Sequence, residues 1–355
     1  EKGFDKAFPT VDDLTRSMGN VSFYYQGRII ENIRISNTVD AYAVNGWESM
    51  KLENHSGIVD NYRFPKGDPE VMARYNAPLY LAVKMNRKVV STGDTTLVDT
   101  YIVNEKNLKG SYILNLVAKD ESGNVVASHK ERVTVKGGNN YGQCLQSGWA
   151  FIPKSKGYTR IEASLLKGKT ELVKGDDLLF AVELNTKGIT TRGSVADTTG
   201  ALVNFLRGVG MEVPVYKGGT PEGDYLLVGA YEPTQWGSGM SDIMEWVYKG
   251  HTLIIVDNPE RWAEFLADKE VLDYRGSKIL GKSWYGGNFF NREHPIFMNL
   301  PANSAFNWEY QCFATYNRRR IGLRCFNGET LVGCVSDHKK EVYSALQVIP
   351  AGSGK

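Results

Sequence analysis

The sequence predicts a multidomain chain in which α/β segments at both ends flank an all-β segment. Three observations support this. Helix-spaced apolar residues and a short apolar run share residues 1–76. Short strands broken by Gly, Asn and Asp turns occupy residues 77–186. Strand–helix–strand alternation returns over residues 187–355. The first segment reads as a slice of an α/β barrel, the second as an immunoglobulin-like β-sandwich and the third as a parallel α/β domain. A length of 355 residues accommodates two or three domains.

Composition narrows the function classes. Lys and Arg total 42 against 40 Asp and Glu, a net charge of +2, which speaks against a strongly basic nucleic-acid binder. Hydrophobic residues make up 42%, enough for packed cores. No apolar stretch approaches the roughly 18 residues of a membrane span. The four cysteines, Cys144, Cys312, Cys325 and Cys334, include no CxxC, so buried thiols are expected rather than a disulfide scaffold or a zinc site. The chain opens on Glu1-Lys2-Gly3-Phe4 with no visible signal peptide. It closes shortly after a strand-like Ser344–Pro350, and it reads as a portion of a longer protein.

In residues 1–76, Thr10 and Asp13 form a capping pattern that opens a short helix. Gln26, Ile29, Ile30 and Ile33 then predict a helix over 22–35. Asp40–Val44 reads as a short buried strand running into Asn45-Gly46-Trp47-Glu48. Asp68-Pro69-Glu70 is a helix start, with a cap, a proline at the first position and an acid in the first turn, and the helix should stop before Pro78. This order suits a slice of an α/β barrel but is too short to close one.

In residues 77–186, strands are predicted at Leu97–Val103, Tyr112–Ala118, Val125–Ala127, Arg132–Val135, Arg160–Leu166 and Leu178–Leu184. Turns are expected at Thr92-Gly93-Asp94, Ser122-Gly123-Asn124, Gly137-Gly138-Asn139-Asn140 and Lys174-Gly175-Asp176. Strands at this spacing suggest the immunoglobulin-like sandwich. Beyond them, Asp197–Arg207 is a predicted helix with Leu202, Phe205 and Leu206 facing a core. Tyr225–Val228 and Leu253–Val256 are predicted buried strands on either side of a helix at Ser241–Tyr248.

Chemistry concentrates in Val44-Asn45-Gly46-Trp47-Glu48-Ser49, continuing to Asn54-His55-Ser56-Gly57 and Asp60-Asn61-Tyr62-Arg63. Barrel active sites lie at the carboxyl ends of the strands, which is the position of Asn45–Glu48. A sugar needs a flat aromatic face for its C–H side and polar groups for its hydroxyls; Trp47, Asn45 and Glu48 offer both. The competing reading packs Trp47 in a core and pairs Glu48 with a base. Glycoside hydrolysis with retention needs two carboxyls about 5.5 Å apart, and no spacing rule pairs Glu48 with Glu53 or Asp60. The histidines His55, His129, His251, His294 and His338 show no metal-ligand spacing, and no metal or cofactor is expected. Arg192-Gly193-Ser194, Lys217-Gly218-Gly219-Thr220 and Trp236-Gly237-Ser238-Gly239 match neither phosphate-binding pattern and read as turns. Arg318-Arg319-Arg320 reads as a solvated loop.

The runs Tyr24-Tyr25-Gln26-Gly27-Arg28, Glu31-Asn32-Ile33-Arg34, Asn45-Gly46-Trp47-Glu48, Ser56-Gly57-Ile58-Val59-Asp60, Pro65-Lys66-Gly67-Asp68 and Pro78–Lys84 resemble the end of the catalytic barrel in glycoside hydrolase family 2. The likeness is nearest to the long β-galactosidase-like proteins of Bacteroidetes. It implies a TIM barrel end, an immunoglobulin-like domain, and a retaining exo-β-glycosidase that hydrolyses terminal β-linked sugars. The family's two catalytic glutamates would precede this chain, leaving substrate contact, and no catalytic role, for Asn45, Trp47 and Glu48. A non-catalytic carbohydrate-binding or assembly module is the alternative.

Residues His294-Pro295-Ile296-Phe297, Leu300-Pro301 and Trp308-Glu309-Tyr310-Gln311 resemble an accessory flavodoxin-like, class I glutamine amidotransferase-like domain. Leu253–Val256 runs into Asp257-Asn258-Pro259 without the nucleophile cysteine, and Cys325 lies in no elbow motif. The implied partners are a carbohydrate substrate, the rest of the glycosidase chain and a second copy through the C-terminal α/β domain, with no nucleic acid and no membrane span. The implied location is periplasmic or extracellular.

Overall fold

The computed structural model describes residues 10–39, 41–44, 46–48, 57–183, 189, 192–237, 239–280, 289–302, 304–313, 320–335 and 341–355. Contacts divide them into two units. One comprises Thr10–Glu183 and Pro295–Phe313; the other is built on the described residues of Leu184–His294 and Ala314–Lys355.

The first unit begins with α1 (Val11–Ser36). The Thr10 hydroxyl accepts from the Asp13 amide at 3.1 Å, and Asn37 ends the helix in the left-handed region. The capped short helix and the helix expected over 22–35 are therefore one 26-residue helix. Gly19 and Asn20 lie within this helix without breaking it. Gly19 instead lets the helix approach the Lys66 carbonyl, whose oxygen lies 1.7 Å from where a β-carbon would sit. Phe23 and Ile30 are buried with Met72, Tyr75, Tyr80 and Ala82, whereas Ile29 faces outward. The expected helix at Asp68 is α2 (Pro69–Tyr75), capped by the Asp68 carboxylate at 3.0 Å from the Glu70 amide.

The buried strand expected at Asp40–Val44 is corrected. Residues 41–44 form no strand, and 41–43 are exposed. A strand gains its stability from cross-strand neighbours. Among the described residues the pairing in this stretch starts at Glu48, which bridges Val59.

Eight strands make the sandwich: β1 (Leu79–Met85), β2 (Val89–Ser91), β3 (Thr96–Asn104), β4 (Gly110–Lys119), β5 (Val125–Val135), β6 (Gly142–Phe151), β7 (Gly157–Lys167) and β8 (Thr170–Val182). They form sheets in the orders β1-β3-β6 and β2-β8-β7-β4-β5, antiparallel except for the β2–β8 pair. Leu81, Val83, Val98, Ile102, Leu114, Leu116, Ile161, Leu165 and Leu179 fill the space between them. Each such side chain contributes about 1.5–3 kcal/mol of transfer free energy.

Two expectations change here. The segments Val125–Ala127 and Arg132–Val135 are one strand, because the polar Ser128–Glu131 pairs with Leu114–Val117 through its backbone. Lys174-Gly175-Asp176 lies inside β8 rather than in a turn. Gly175 is needed because the Leu81 carbonyl oxygen sits 1.8 Å from its would-be β-carbon.

In the second unit β9 (Gly193–Ala196), β10 (Tyr225–Val228) and β11 (Thr252–Ile255) form a parallel sheet in the order β11-β10-β9. Helices α3 (Ala201–Gly208), α4 (Gly239–Tyr248) and α5 (Pro259–Asp268) connect and follow them. The core joins Leu226, Val228, Ile243, Trp246, Trp262 and Leu266. The helix expected from Asp197 starts at Ala201, after Gly200 in the left-handed region, because the Asp197 carboxylate folds back to accept from the Leu202 amide. Leu206 is buried as expected, but Phe205 is exposed.

The chain continues through β12 (Tyr274–Leu280) and β13 (Phe289–Asn291). It returns to the first unit for the segment carrying β14 (Ser304–Ala305). It then adds β15 (Arg320–Cys325), β16 (Glu329–Val335) and β17 (Val342–Val348). Within the second unit these strands run antiparallel in the order β12-β15-β17-β16-β13. Only β17 was anticipated from the sequence, as Ser344–Pro350. The architecture is thus mixed α/β with a separate antiparallel β-sandwich.

Candidate functional site

Of the three predicted sugar contacts, Trp47 and Glu48 are described and Asn45 lies outside the described residues. Gly46 enters the site at φ +74°, a conformation that favours glycine. The Trp47 carbonyl then accepts from the amides of Ile58 at 2.9 Å and Val59 at 3.1 Å. Val59 is the middle member of a three-segment bridge, parallel to Glu48 and antiparallel to Pro65. Its side chain is buried, so the bridge is anchored to the unit's interior.

The Trp47 side chain is 63% exposed and Glu48 is also exposed. This arrangement disagrees with the competing reading in which the indole packs in a core. An exposed indole on an anchored backbone can offer a flat apolar face, and the adjacent carboxylate can accept hydroxyl hydrogen bonds.

Asp60, considered as a mate for Glu48, has a different task. Its Oδ1 accepts from the amides of Tyr62 at 2.8 Å and Phe64 at 2.9 Å, and its own amide donates to the Phe64 carbonyl at 2.9 Å. The carboxylate therefore holds the turn 60–64, in which Arg63 takes φ +66°. Glu53 and His55 lie outside the described residues. Burial, opposed by the charge of Asp60, lowers the Lys66 pKa to about 8. Sequence reasoning reached Tyr62 and missed Phe64, which are 82% and 68% exposed. The signal was the aromatic–Arg–aromatic pattern following Asp60-Asn61.

The carboxyl ends of β9–β11 are the other place where this architecture binds ligands. Here they are occupied by the chain itself. Asp197 Oδ2 accepts from the Leu202 amide at 2.7 Å and Oδ1 from the Thr199 amide at 3.1 Å. Burial opposes ionisation, yet these hydrogen bonds hold the Asp197 carboxyl below its usual range. The amino end of α3 thus already carries an anion. After β10, Trp236 packs on Trp262 at 4.9 Å and on Tyr231 at 5.2 Å between ring centroids. The glycines Gly218, Gly219 and Gly237 take positive φ, in keeping with turns.

Cys325 ends β15, buried, and burial followed by the charge of Asp273 pushes its thiol up to about 11. That disfavours the thiolate a nucleophile needs. Cys334 is buried as expected, but Cys144 is exposed, a correction to the buried-thiol expectation. His251 stacks on Trp246 at 4.5 Å. Among the described residues no group of three or more His, Cys, Asp or Glu side chains could hold a metal ion, and no helix is long and apolar enough to cross a membrane.

No family model and no curated protein matches the sequence. Solved structures show partial similarity to several family 2 glycoside hydrolases. A β-glucuronidase of that family matches with 15% identity over 29% of this chain and 11% of its own, at a TM-score of 0.24. A family 2 member from Bacteroides cellulosilyticus matches with 10% identity over 55% of this chain and 29% of its own, also at 0.24. The CARDB domain of the PF1109 protein from Pyrococcus furiosus matches with 15% identity over 29% of this chain and 87% of its own, at 0.21. The chain thus spans less than a third of either glycoside hydrolase.

Proposed function

We propose that this chain is the C-terminal portion of a retaining exo-β-glycosidase of the β-galactosidase-like kind, acting on terminal β-linked sugars. In this reading residues 1–76 end a TIM barrel, 77–186 are the immunoglobulin-like domain, and 187–355 are a flavodoxin-like accessory domain. The catalytic glutamates lie outside the chain, and Asn45, Trp47 and Glu48 contact substrate. The protein works in the periplasm or outside the cell. The observation that supports it is the placement of Trp47: its backbone carbonyl accepts two hydrogen bonds, its side chain is largely open to solvent, and the next residue, Glu48, is exposed as well. Burying that indole face against a sugar ring would recover apolar surface now in water.

In such a mechanism these residues bind and orient the sugar, while proton transfer and nucleophilic attack belong to the two glutamates. Aryl-β-galactoside turnover tests the reading. The chain alone should be inactive, and the full open reading frame containing it should be active. An open reading frame without two barrel glutamates, and without turnover, would favour the binding-module alternative.

A further inference from the structure

We infer that residues 295–313, the strap that carries β14, position the Trp47 loop through residues 17–20 of α1. The inference rests on the proposed contact at Trp47 and adds Ser17, Gly19 and Asn20 as positioning residues. In sequence the strap lies between β13 and β15 of the second unit, yet it packs in the first. Three contacts fasten it there. The Ala305 amide donates to Ser17 Oγ at 2.6 Å. Glu309 Oε1 accepts from the Tyr158 hydroxyl at 2.8 Å. Lys88 Nζ lies 4.1 Å from the Trp308 ring centroid and donates to the Tyr24 hydroxyl of α1 at 2.7 Å. Ser17 and Tyr24 are two turns apart, so they share one face of the helix. The strap therefore holds the amino half of α1 along that face.

The same turns of α1 meet the site loop with little adjustable between them. A β-carbon on Gly19 would sit 1.7 Å from the Lys66 carbonyl oxygen, and one on Gly67 would sit 2.8 Å from Asn20 Oδ1. Asn20 Oδ1 also accepts from the Asp68 amide at 3.3 Å. At Gly19 backbone lies against backbone, so no rotamer change can absorb a shift of the helix. Residues 65–68 carry the position onward. The Lys66 amide donates to the Ile58 carbonyl at 3.1 Å, Pro65 bridges Val59, and Val59 bridges Glu48. The Ile58 and Val59 amides end the path at the Trp47 carbonyl. Each link from Ala305 to Trp47 is a hydrogen bond, a helix turn, a backbone contact or a strand bridge.

Hydrogen exchange and galactose calorimetry on the whole chain test this. Ser17→Ala removes the strap's hydrogen bond from a half-buried helix position. The Ile58, Val59 and Lys66 amides should then exchange about 2- to 10-fold faster, the worth of one neutral hydrogen bond. Ser17→Thr keeps the hydroxyl and should restore the parent rates. Gly123→Ala, at a turn with open space around it, should leave those three amides unchanged, because they exchange by local opening. Gly19→Ala pushes on the Lys66 carbonyl directly and should weaken galactose about 10-fold or more, with circular dichroism confirming the fold. Unchanged loop exchange in Ser17→Ala would overturn the inference. So would equal acceleration by Gly123→Ala, or parent galactose affinity in a folded Gly19→Ala chain. Faster loop exchange in Ser17→Ala together with no galactose binding by the parent chain would support the strap's hold on the loop and overturn the sugar contact at Trp47.

Discussion

Glu31 is fully buried on α1 and joins that helix to the sandwich. Its carboxylate accepts from the Tyr80 hydroxyl at 2.7 Å and from Lys84 Nζ at 3.2 Å, and it lies 3.0 Å from the Arg28 guanidinium. Arg28 also pairs with Asp177 of β8 at 3.2 Å. Burial, followed by the Glu31 charge, raises the Tyr80 pKa, so the phenol remains a donor. Glu31→Ala removes the anion and leaves Lys84 without its carboxylate partner in a half-buried position. Breaking a buried pair in this way costs about 3–5 kcal/mol. Glu31→Gln keeps an acceptor for Tyr80 and loses only the charge, so its cost should fall nearer 1.5–3 kcal/mol, the range for hydrogen bonds to charged groups. The double variant with Tyr80→Phe should show coupling of about 0.5–3 kcal/mol. Urea unfolding, with hydrogen exchange assigning the transition to α1 and β1 amides, measures each value. If Glu31→Ala cost under about 1 kcal/mol, or no more than Glu31→Gln, the network would not be what holds α1 on the sandwich.

Further outcomes follow from other close contacts. Gly175→Ala should destabilise the sandwich unit by about 3 kcal/mol or more, since backbone blocks the added carbon, while Gly123→Ala at an open turn should cost only about 1 kcal/mol of left-handed strain; urea midpoints compare them. Burial is the main cause that lowers the Lys88 pKa to about 8, with Asp177 opposing it. From about pH 8 to the unfolded lysine's 10.5 the unfolded chain therefore binds the extra proton, and stability should rise with pH across that window. Lys88→Met should flatten that rise in urea titrations at stepped pH. Iodoacetamide mapping of the native chain should label Cys144 well before Cys325, because Cys325 is buried with a raised thiol pKa. Rapid Cys325 labelling would contradict its inert role.

Local signals made much of the fold legible. Asp68-Pro69-Glu70 located α2, the turn at 123 located the β4–β5 hairpin, and those at 93 and 137–140 located crossings between the two sheets, because turn and cap chemistry acts within a few residues. Long-range causes were hidden. Gly19 and Gly175 look like breaks in isolation, and only the Lys66 and Leu81 carbonyls explain them. The antiparallel sheet of the second unit draws strands from 274–348, and its pairings carry no local marker. At the site, Trp47 and Glu48 stood out by residue type. Phe64 did not, because its exposure depends on the turn that the Asp60 carboxylate holds.

The most direct test of the central claim is a crystal structure of the chain soaked with galactose. The account predicts sugar density stacked on the Trp47 indole with a hydroxyl within hydrogen-bond distance of Glu48. A well-ordered, solvent-accessible Trp47 with no sugar beside it at saturating concentration would contradict the account.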